Sequence, residues 1–506
     1  MKMVKGLLLA GAAGIAAVSG AQAADLPVKA RAAEYVKVCS AYGAGFFYIP
    51  GTDTCIKIGG YIWAEYNINS AGSHGVYWTG ANARDNKADV ANYNNRVRSE
   101  LSFDTRTQTE YGTLRSFIRF GPEINSDLTG YTGQFTAYRG TIQFSRAFIQ
   151  FAGFTVGKTQ SFFDFYAGAL SYTTPMYAGS VTGSGHLLVA YTAQFGGGFS
   201  ATISGEDNQL RRTGLVFAGV AGNPTAGATL GQNGSATAGI ETAGAPNFGF
   251  YRNINYPDIV ANLRLDQPWG SAQIMGAIHD ASGGCNGACN VPANNFGSAT
   301  GYAIGAGVKF NLPFAPGDEL WVQGTYADGA TSYLGPYKSY STDAVSMVRG
   351  NANTAGGRYT TALLADGAIG LDGRVNKVQG YQFTVAAQHF WTPGLRTSVF
   401  GGYLKLNYDG AATAAVCNSY ALAGNKLPGN GACNPDVAIW QVGTRTVWSP
   451  VANLDLGVEV LYTKVDQNHT GVWTAIGAGG NGTGTFAASD RGIFQGSFRA
   501  TRNFWP

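Results

Sequence analysis

Five arginines carry the clearest chemical signal in this sequence: Arg96, Arg98, Arg115, Arg119 and Arg146. Apolar residues such as Val97 and Leu114 take the opposite parity, so in an extended chain the guanidinium groups and the apolar side chains lie on opposite faces. A charge at membrane depth is tolerated only where water reaches it. The pattern therefore predicts a basic wall along a water-filled passage, with solvated arginines near the rims of a barrel as the alternative.

Three acids can offset these arginines. Glu100 and Asp104 share the face of Arg96, and Asp164 lies in the stretch 161–186. That stretch opens Ser-Phe-Phe-Asp-Phe-Tyr, and its rings need an apolar surface to pack on. We therefore predict that it folds into the lumen, so that Asp164 faces the five arginines across a pore constriction. The net charge of these groups would be +2, which predicts a weak preference for anions. A cap outside the barrel or a loop at a subunit contact is the alternative.

Six cysteines fall into three close pairs: Cys39 with Cys55, Cys285 with Cys289, and Cys417 with Cys433. In an exported chain such spacing favours local disulfides, although sequence alone does not fix the connectivity. The ligand pairs of a zinc site, Cys-x-x-Cys and His-x-x-x-His, do not occur. We therefore predict three disulfides and no metal site.

Two motifs suggest nucleotide binding or catalysis, but their surrounding residues do not support either function. Residues 152–159 fit a loose phosphate-loop pattern, but Phe154-Thr155-Val156 favours a strand and no helix pattern follows. His389 and Ser398 alone do not define a catalytic triad, which is a matter of geometry. The sequence therefore predicts no enzyme and no cofactor.

The N-terminus has the form of a signal peptide. Lys2 and Lys5 precede an apolar stretch at 6–18, and Ala21-Gln22-Ala23 has the small-x-small pattern of a cleavage site. We predict a signal peptide over residues 1–23, with an uncleaved membrane anchor as the alternative. The 34 basic and 30 acidic residues are too nearly balanced to indicate a nucleic-acid partner.

The rest of the chain has the composition of a strand-rich protein, with 73 Gly, 28 Phe and 27 Tyr among 506 residues. Residues 56–68 alternate with period two, and the same alternation recurs over stretches of about 10 to 14 residues that match tilted membrane strands. Short turns alternate with long polar connections, which favours a barrel over a soluble sandwich. We predict an all-β fold: a sixteen-stranded antiparallel transmembrane β-barrel whose third loop folds inward. The predicted strand starts are 56, 92, 111, 138, 152, 187, 198, 258, 270, 301, 318, 378, 394, 436, 452 and 491.

The fourth of these strands changes phase. Ile142 and Phe144 share one parity, whereas Ala147 and Ile149 share the other. A bulge near Ser145 reconciles the two halves. Beyond that bulge, Arg146 and Gln150 face inward.

Two long stretches resemble a known family. Residues 38–61 read VCSAYGAGFFYIPGTDTCIKIGGY, and residues 146–164 read RAFIQFAGFTVGKTQSFFD. The first resembles the start of the alphaproteobacterial general porins. The second resembles the strand that leads into their inward-folded third loop. Two departures are the single acid, Asp164, within 161–186 and the ending Phe504-Trp505-Pro506, which extends past the usual terminal aromatic residue.

The resemblance implies an outer-membrane homotrimer, in contact with membrane lipids and lipopolysaccharide, for passive diffusion of ions and small hydrophilic solutes. It also implies arginines that face an acidic third loop. The predicted organisation is a signal peptide at 1–23, a disulfide-bearing segment at 24–55 and a porin barrel at 56–506. A surface-interaction barrel with a closed pore is the alternative function.

Overall fold

The computed structural model describes residues 37–69, 93–126, 139–172, 185–212, 215–217, 248–251, 256–284, 297–335, 344–349, 358–370, 372–422, 432–476 and 483–504. The predicted signal peptide over residues 1–23 lies outside the described residues, as do Cys285 and Cys289. Among the described residues, no helix is both long and apolar enough to cross a membrane.

Sixteen antiparallel strands form a closed barrel, which confirms the predicted fold class. Each strand pairs with the next along the chain, and the last pairs with the first, so that Ile62 lies opposite Arg502. Every strand begins within two residues of its predicted start. The strands are β1 Cys55–Ile68, β2 Tyr93–Thr109, β3 Gly112–Asn125, β4 Arg139–Phe151, β5 Phe154–Thr159, β6 His186–Gly196, β7 Phe199–Glu206, β8 Asp258–Gln267, β9 Gly270–Asp280, β10 Thr300–Asn311, β11 Glu319–Asp328, β12 Gln379–Thr392, β13 Leu395–Asn407, β14 Val437–Val451, β15 Leu454–Gln467 and β16 Arg491–Asn503.

Period-two alternation places the apolar side chains on the outer face. In β1, Ile58 and Ile62 are 44% and 47% exposed on the outside, whereas the inward-facing Trp63 and Glu65 are 7% and 4% exposed. A closed barrel satisfies the backbone hydrogen bonds of every strand without leaving a free edge. The same pairing directs alternate side chains into the lumen.

The predicted bulge in β4 is confirmed. Arg119 pairs with Arg146 and Phe120 pairs with Phe144, so Ser145 is the extra residue. The Ser145 hydroxyl donates a hydrogen bond to the Glu100 carboxylate inside the barrel. The bulge therefore lets both Ser145 and Arg146 face inward.

The long connections contain more regular structure than their polar composition predicts. A 3-10 turn covers each of Ser40–Tyr42, Gln209–Arg211 and Thr331–Leu334, and helix α1 covers Gly410–Leu422. Phe47–Tyr48 adds a short strand beside β1. Five short strands form one extra sheet: Leu215–Phe217, Phe248–Tyr251, Gly283–Gly284, Gly367–Ile369 and Val375–Lys377. Four form another: Ala344–Arg349, Arg358–Leu363, Val472–Ile476 and Thr483–Ala488.

Helix α1 begins where Asp409 caps it. The Asp409 carboxylate accepts a hydrogen bond from the Ala412 N–H at 2.6 Å, which satisfies one of the free donors of the first turn. Ala412 and Val416 are both 0% exposed. They belong to one continuous apolar cluster that also contains Phe163 and Tyr333, so part of the barrel interior is packed core.

Two of the predicted disulfides are confirmed. Cys39 bonds to Cys55 at the start of β1, and Cys417 in α1 bonds to Cys433 before β14. Each bond closes a separation of 16 residues, for which loop entropy contributes about 3 kcal/mol. Both bonds tie a connecting segment to a neighbouring element.

A buried histidine holds the segment that contains Cys433. The His469 Nδ1 atom accepts a hydrogen bond from the Asn434 N–H at 3.1 Å, and burial lowers the pKa of His469 from 6.5 to about 4. When the segment opens, its histidine takes up a proton below pH 6.5, whereas the packed ring stays neutral until about pH 4. The packed state is therefore fully stable above pH 6.5 and loses about 3 kcal/mol as the pH falls to 4.

We expect hydrogen exchange of the amides at 432–436 and 468–471 to accelerate between pH 7 and pH 4.5, after correction for the intrinsic rate. His469→Asn keeps a hydrogen-bond acceptor that does not titrate in this range, so it should remove most of the pH dependence. Equal pH dependence in the two proteins would contradict the assignment to His469.

Candidate functional site

The candidate site is the inward face of β2, β3 and β4. We call this face the basic wall, and its described arginines are Arg96, Arg98, Arg106, Arg115, Arg119 and Arg146. They face inward because the alternate residues Val97 and Leu101 lie on the outer face, 43% and 40% exposed. The strand pairing brings all five predicted arginines onto this wall.

At one end of the wall, the arginines are buried in ion pairs. Arg96 Nε lies 2.8 Å from Glu65 Oε1, and Arg98 Nε donates to Glu123 Oε2 at 2.5 Å. Both guanidinium groups also lie against the ring of Trp63, at 4.5 Å and 5.3 Å from its centroid. Arg96 is only 1% exposed. Its charge is therefore used in a buried network and does not touch a passing solute.

The middle of the wall carries partly exposed arginines. Arg115 binds Asp104 through two hydrogen bonds, at 2.9 Å and 3.0 Å, and donates to Gln150 at 2.9 Å. Arg119 Nε lies 3.7 Å from Glu100 Oε2. The side chains of Arg115 and Arg119 keep 28% and 32% of their surface exposed. Arg106, at 26%, is exposed to a similar extent, so the middle of the wall presents partly exposed cations to the lumen.

An aromatic pair shares this wall. Phe117 and Phe148 face inward and stack with their ring centroids 5.4 Å apart and an angle of 23° between the planes. Their register is direct, one opposite the other. Phe117 shares the parity of Arg115 and Arg119, and that parity is the sequence signal for its inward orientation.

Of the stretch 161–186 predicted to fold into the lumen, residues 161–172 do so, and we call them the constriction segment; residues 173–184 lie outside the described residues. Its backbone is held by side chains of the barrel wall beyond β7: Asn262 Nδ2 donates to the Phe162 carbonyl at 2.6 Å. Gln323 Oε1 accepts from the Tyr166 N–H at 3.0 Å, and Ser398 Oγ donates to a carbonyl of the segment at 2.7 Å. Its aromatic residues pack against this wall, with Phe163 at 0% exposure. The constriction segment therefore lies along the wall that contains β8, β11 and β13, and the centroid of its Tyr172 ring lies 4.9 Å and 4.2 Å from the guanidinium carbons of Arg445 and Arg499.

Asp164 is nearly buried, with 8% of its surface exposed. It interacts electrostatically with Arg146 of the basic wall and with Arg211 of the Gln209–Arg211 turn. Gln273 Nε2 donates to its carbonyl at 3.3 Å. Asp164 thus lies between the basic wall and a second cation, and its place in a constriction stays a prediction.

A buried polar cluster fastens the connection between β11 and β12 to the start of β8 and the end of β9. His279 Nδ1 lies 2.8 Å from Asp258 Oδ1, and the Tyr333 hydroxyl donates to Asp258 Oδ2 at 2.7 Å. Asp366 accepts from the Thr331 N–H at 2.6 Å. All five residues are 0% exposed. The cluster therefore fixes the connection between β11 and β12 in place rather than offering a reactive group to solvent.

The other candidate reactive residues engage separate partners. His389 Nδ1 lies 2.6 Å from Asp318 Oδ2, whereas the Ser398 hydroxyl donates to the Leu170 carbonyl at 2.7 Å. Within the described parts of the chain, no group of three or more His, Cys, Asp or Glu residues could hold a metal ion. This geometry gives no support to a triad.

Comparison with known proteins places residues 25–491 under the family model described as the porin subfamily. The chain is similar to Porin Omp2b of Brucella canis, at 39% identity over 225 residues that cover 42% of this chain and 57% of the relative. It is similar to Porin Omp2a of Brucella ovis, at 40% identity over 227 residues that cover 40% and 60%. The matched region thus spans less than two thirds of these relatives.

A solved structure shares the fold. The crystal structure of the outer membrane channel DcaP of Acinetobacter baumannii aligns with a TM-score of 0.55 and 15% identity, over 90% of this chain and 99% of that chain. At this identity the likeness extends to the fold alone.

Proposed function

This chain belongs to the porin subfamily, and from that premise we propose that it forms a water-filled channel for passive diffusion of ions and small hydrophilic solutes. Its location is the outer membrane, which it crosses as a multi-pass β-barrel. The proposal gives the chain no catalytic role and no cofactor.

The observation that carries the proposal is an exposed charge inside a barrel with an apolar outer face. The side chains of Arg115 and Arg119 are 28% and 32% exposed within the barrel, whereas Ile58 and Ile62 cover the outside. An exposed guanidinium group at membrane depth requires water around it. A hydrated lumen is therefore the arrangement that these exposures favour.

The further parts of the proposal concern assembly and selectivity. We propose a homotrimer in contact with membrane lipids and lipopolysaccharide, as the family resemblance implies. We also propose a weak preference for anions, because Arg115 and Arg119 are partly exposed to the lumen on a wall whose acids are buried: Glu100, Asp104 and Glu123 are 1%, 7% and 8% exposed. A signal peptide at 1–23 completes the proposed organisation.

A planar-bilayer recording of the purified full chain tests the channel directly. We expect stepwise conductance increments with a linear current–voltage relation in KCl, together with swelling of protein-loaded vesicles in solutions of small sugars. Heat-unfolded protein in the same detergent is the control. A folded barrel that gives no conductance steps would contradict the channel and favour the surface-interaction alternative, in which the pore is closed.

A further inference from the structure

The inward face of β3 and β4 alternates cationic and aromatic rows. Three inward-facing cross-strand pairs follow one another at two-residue intervals. In order they are Arg115 with Gln150, Phe117 with Phe148, and Arg119 with Arg146. An aromatic row thus lies between two rows that carry guanidinium groups.

The Phe117–Phe148 pair is a platform that remains partly open to the lumen, since neither ring is fully buried. The Arg115 guanidinium carbon lies 5.4 Å from both ring centroids, on one side of the platform. The Arg119 guanidinium carbon lies 5.9 Å from the Phe117 centroid, on the other side. A planar ring that stacks here therefore lies beside cations at both edges.

The Arg119–Arg146 row places two like charges directly opposite each other, an arrangement that is unfavourable on neighbouring strands. Glu100 lies 3.7 Å from Arg119 Nε, and within the described part of the chain no acceptor forms a hydrogen bond with that buried atom. Glu100 and Asp164 offset part of the repulsion at Arg146, and a carboxylate bound at this row would offset more of it. The two guanidinium groups also match the planar geometry of a carboxylate.

We propose that these rows form a transient binding site for monocyclic aryl carboxylates. The ring stacks on Phe117 and Phe148, and the carboxylate is bound by Arg119 and Arg146. The site rests on the proposed channel function, because the ligand reaches it through the lumen. Binding would occur while the solute passes, and it would favour flat aromatic acids over saturated acids of the same charge.

The spacing of the rows fits this class of ligand. Two residues along an antiparallel strand advance about 6.8 Å. A carboxylate attached directly to a ring, extended by an N–H···O hydrogen bond of about 2.9 Å, covers roughly this distance from the ring centre to the donor nitrogen. An aliphatic acid can reach Arg119 and Arg146 but leaves the aromatic platform unused.

The test is block of the KCl current by added acids, recorded with the full chain in planar bilayers at 0.1 M salt, about a 10 Å Debye length. Benzoate is compared with cyclohexanecarboxylate, which has the same charge and similar size but no flat ring. We expect benzoate to bind about five-fold more tightly, as measured by the concentration that gives half-maximal block. Equal block by the two acids would overturn the proposal.

Variants distinguish the contribution of the aromatic pair to block from that of the guanidinium groups. Phe117→Leu with Phe148→Leu should remove the preference for benzoate, and Phe148→Leu alone should reduce it if the double variant does not fold. The matched control is Phe120→Leu with Phe144→Leu, an outward-facing pair on the same strands whose centroids lie 5.6 Å apart. That control should keep the preference. Arg119→Gln should weaken block by both acids.

These outcomes distinguish the two proposals. A folded protein without KCl conductance would contradict the channel itself. A conducting protein whose inward-facing Phe117 and Phe148 variants keep the full benzoate preference would contradict only the aryl carboxylate site.

Discussion

Replacing Arg115 and Arg119 together with Ala should shift the reversal potential of the proposed channel toward cations and should raise its conductance for bulky solutes. The change removes the two water-facing guanidinium groups and leaves Glu100 and Asp104 less compensated. A unit charge about 4 Å from an ion in water is worth about 1 kcal/mol, so a roughly five-fold change in the permeability ratio is expected. Reversal potential in a tenfold KCl gradient measures it.

Salt provides an internal check on this prediction. The Debye length is about 8 Å at physiological ionic strength and about 3 Å at 1 M, so the shift should be largest in dilute KCl. Arg374→Ala is the matched control, since that side chain is 83% exposed on a connection away from the basic wall. An unchanged reversal potential in the double variant would mean that Arg115 and Arg119 do not line the narrowest part of the lumen.

Glu65→Ala should destabilise the barrel more than the loss of any exposed ion pair. Glu65 binds two arginines, Arg96 at 2.8 Å and Arg499 at 2.7 Å, and both Glu65 and Arg96 have fully buried side chains. Removal of the carboxylate takes the nearer acid from the buried Arg96 guanidinium and leaves Glu123, at 3.8 Å, to compensate its charge. Breaking a buried pair in this way costs about 3–5 kcal/mol.

Urea-induced unfolding of the barrel in lipid vesicles measures this loss of stability as a lower urea concentration at the unfolding midpoint. The control is Asp266→Ala, which also removes the acid partner of an arginine. Asp266 and Arg264 have side chains that are 54% and 36% exposed, so that change should cost less than about 1 kcal/mol. Equal midpoints for the two variants would show that the Glu65 network adds nothing to stability.

The barrel was predictable because its signal is local. A side chain's face follows from its parity, so an apolar outer face can be read from residues 56–68 without knowing their partners. The bulge at Ser145 was predictable for the same reason, because the parity changes between Phe144 and Ala147. The aromatic run that begins at Phe162 predicted the inward fold because its rings had no apolar surface to meet outside.

The partner of each arginine was not predictable, because it depends on the register between neighbouring strands. Arg96 and Arg119 both follow the inward parity, yet Arg96 meets Glu65 from β1 while Arg119 meets Arg146 from β4. Parity determines which face of the barrel a side chain lies on, whereas the register determines which residues it contacts on that face. The secondary structure of the connections was not predictable for a related reason. Residues 410–422 form a helix that is stabilised by burial against segments distant in the sequence, and composition does not indicate such contacts.

The apolar cluster that joins the constriction segment to the outer connections has an evolutionary consequence. Phe163 of the constriction segment, Tyr333, Leu364 and Val416 belong to that one cluster. Here a large deletion between β11 and β12 would remove Tyr333 and Leu364 and so unsettle the packing of Phe163. A change in the length of that connection would therefore alter the lumen as well as the surface of the barrel in the same mutational step.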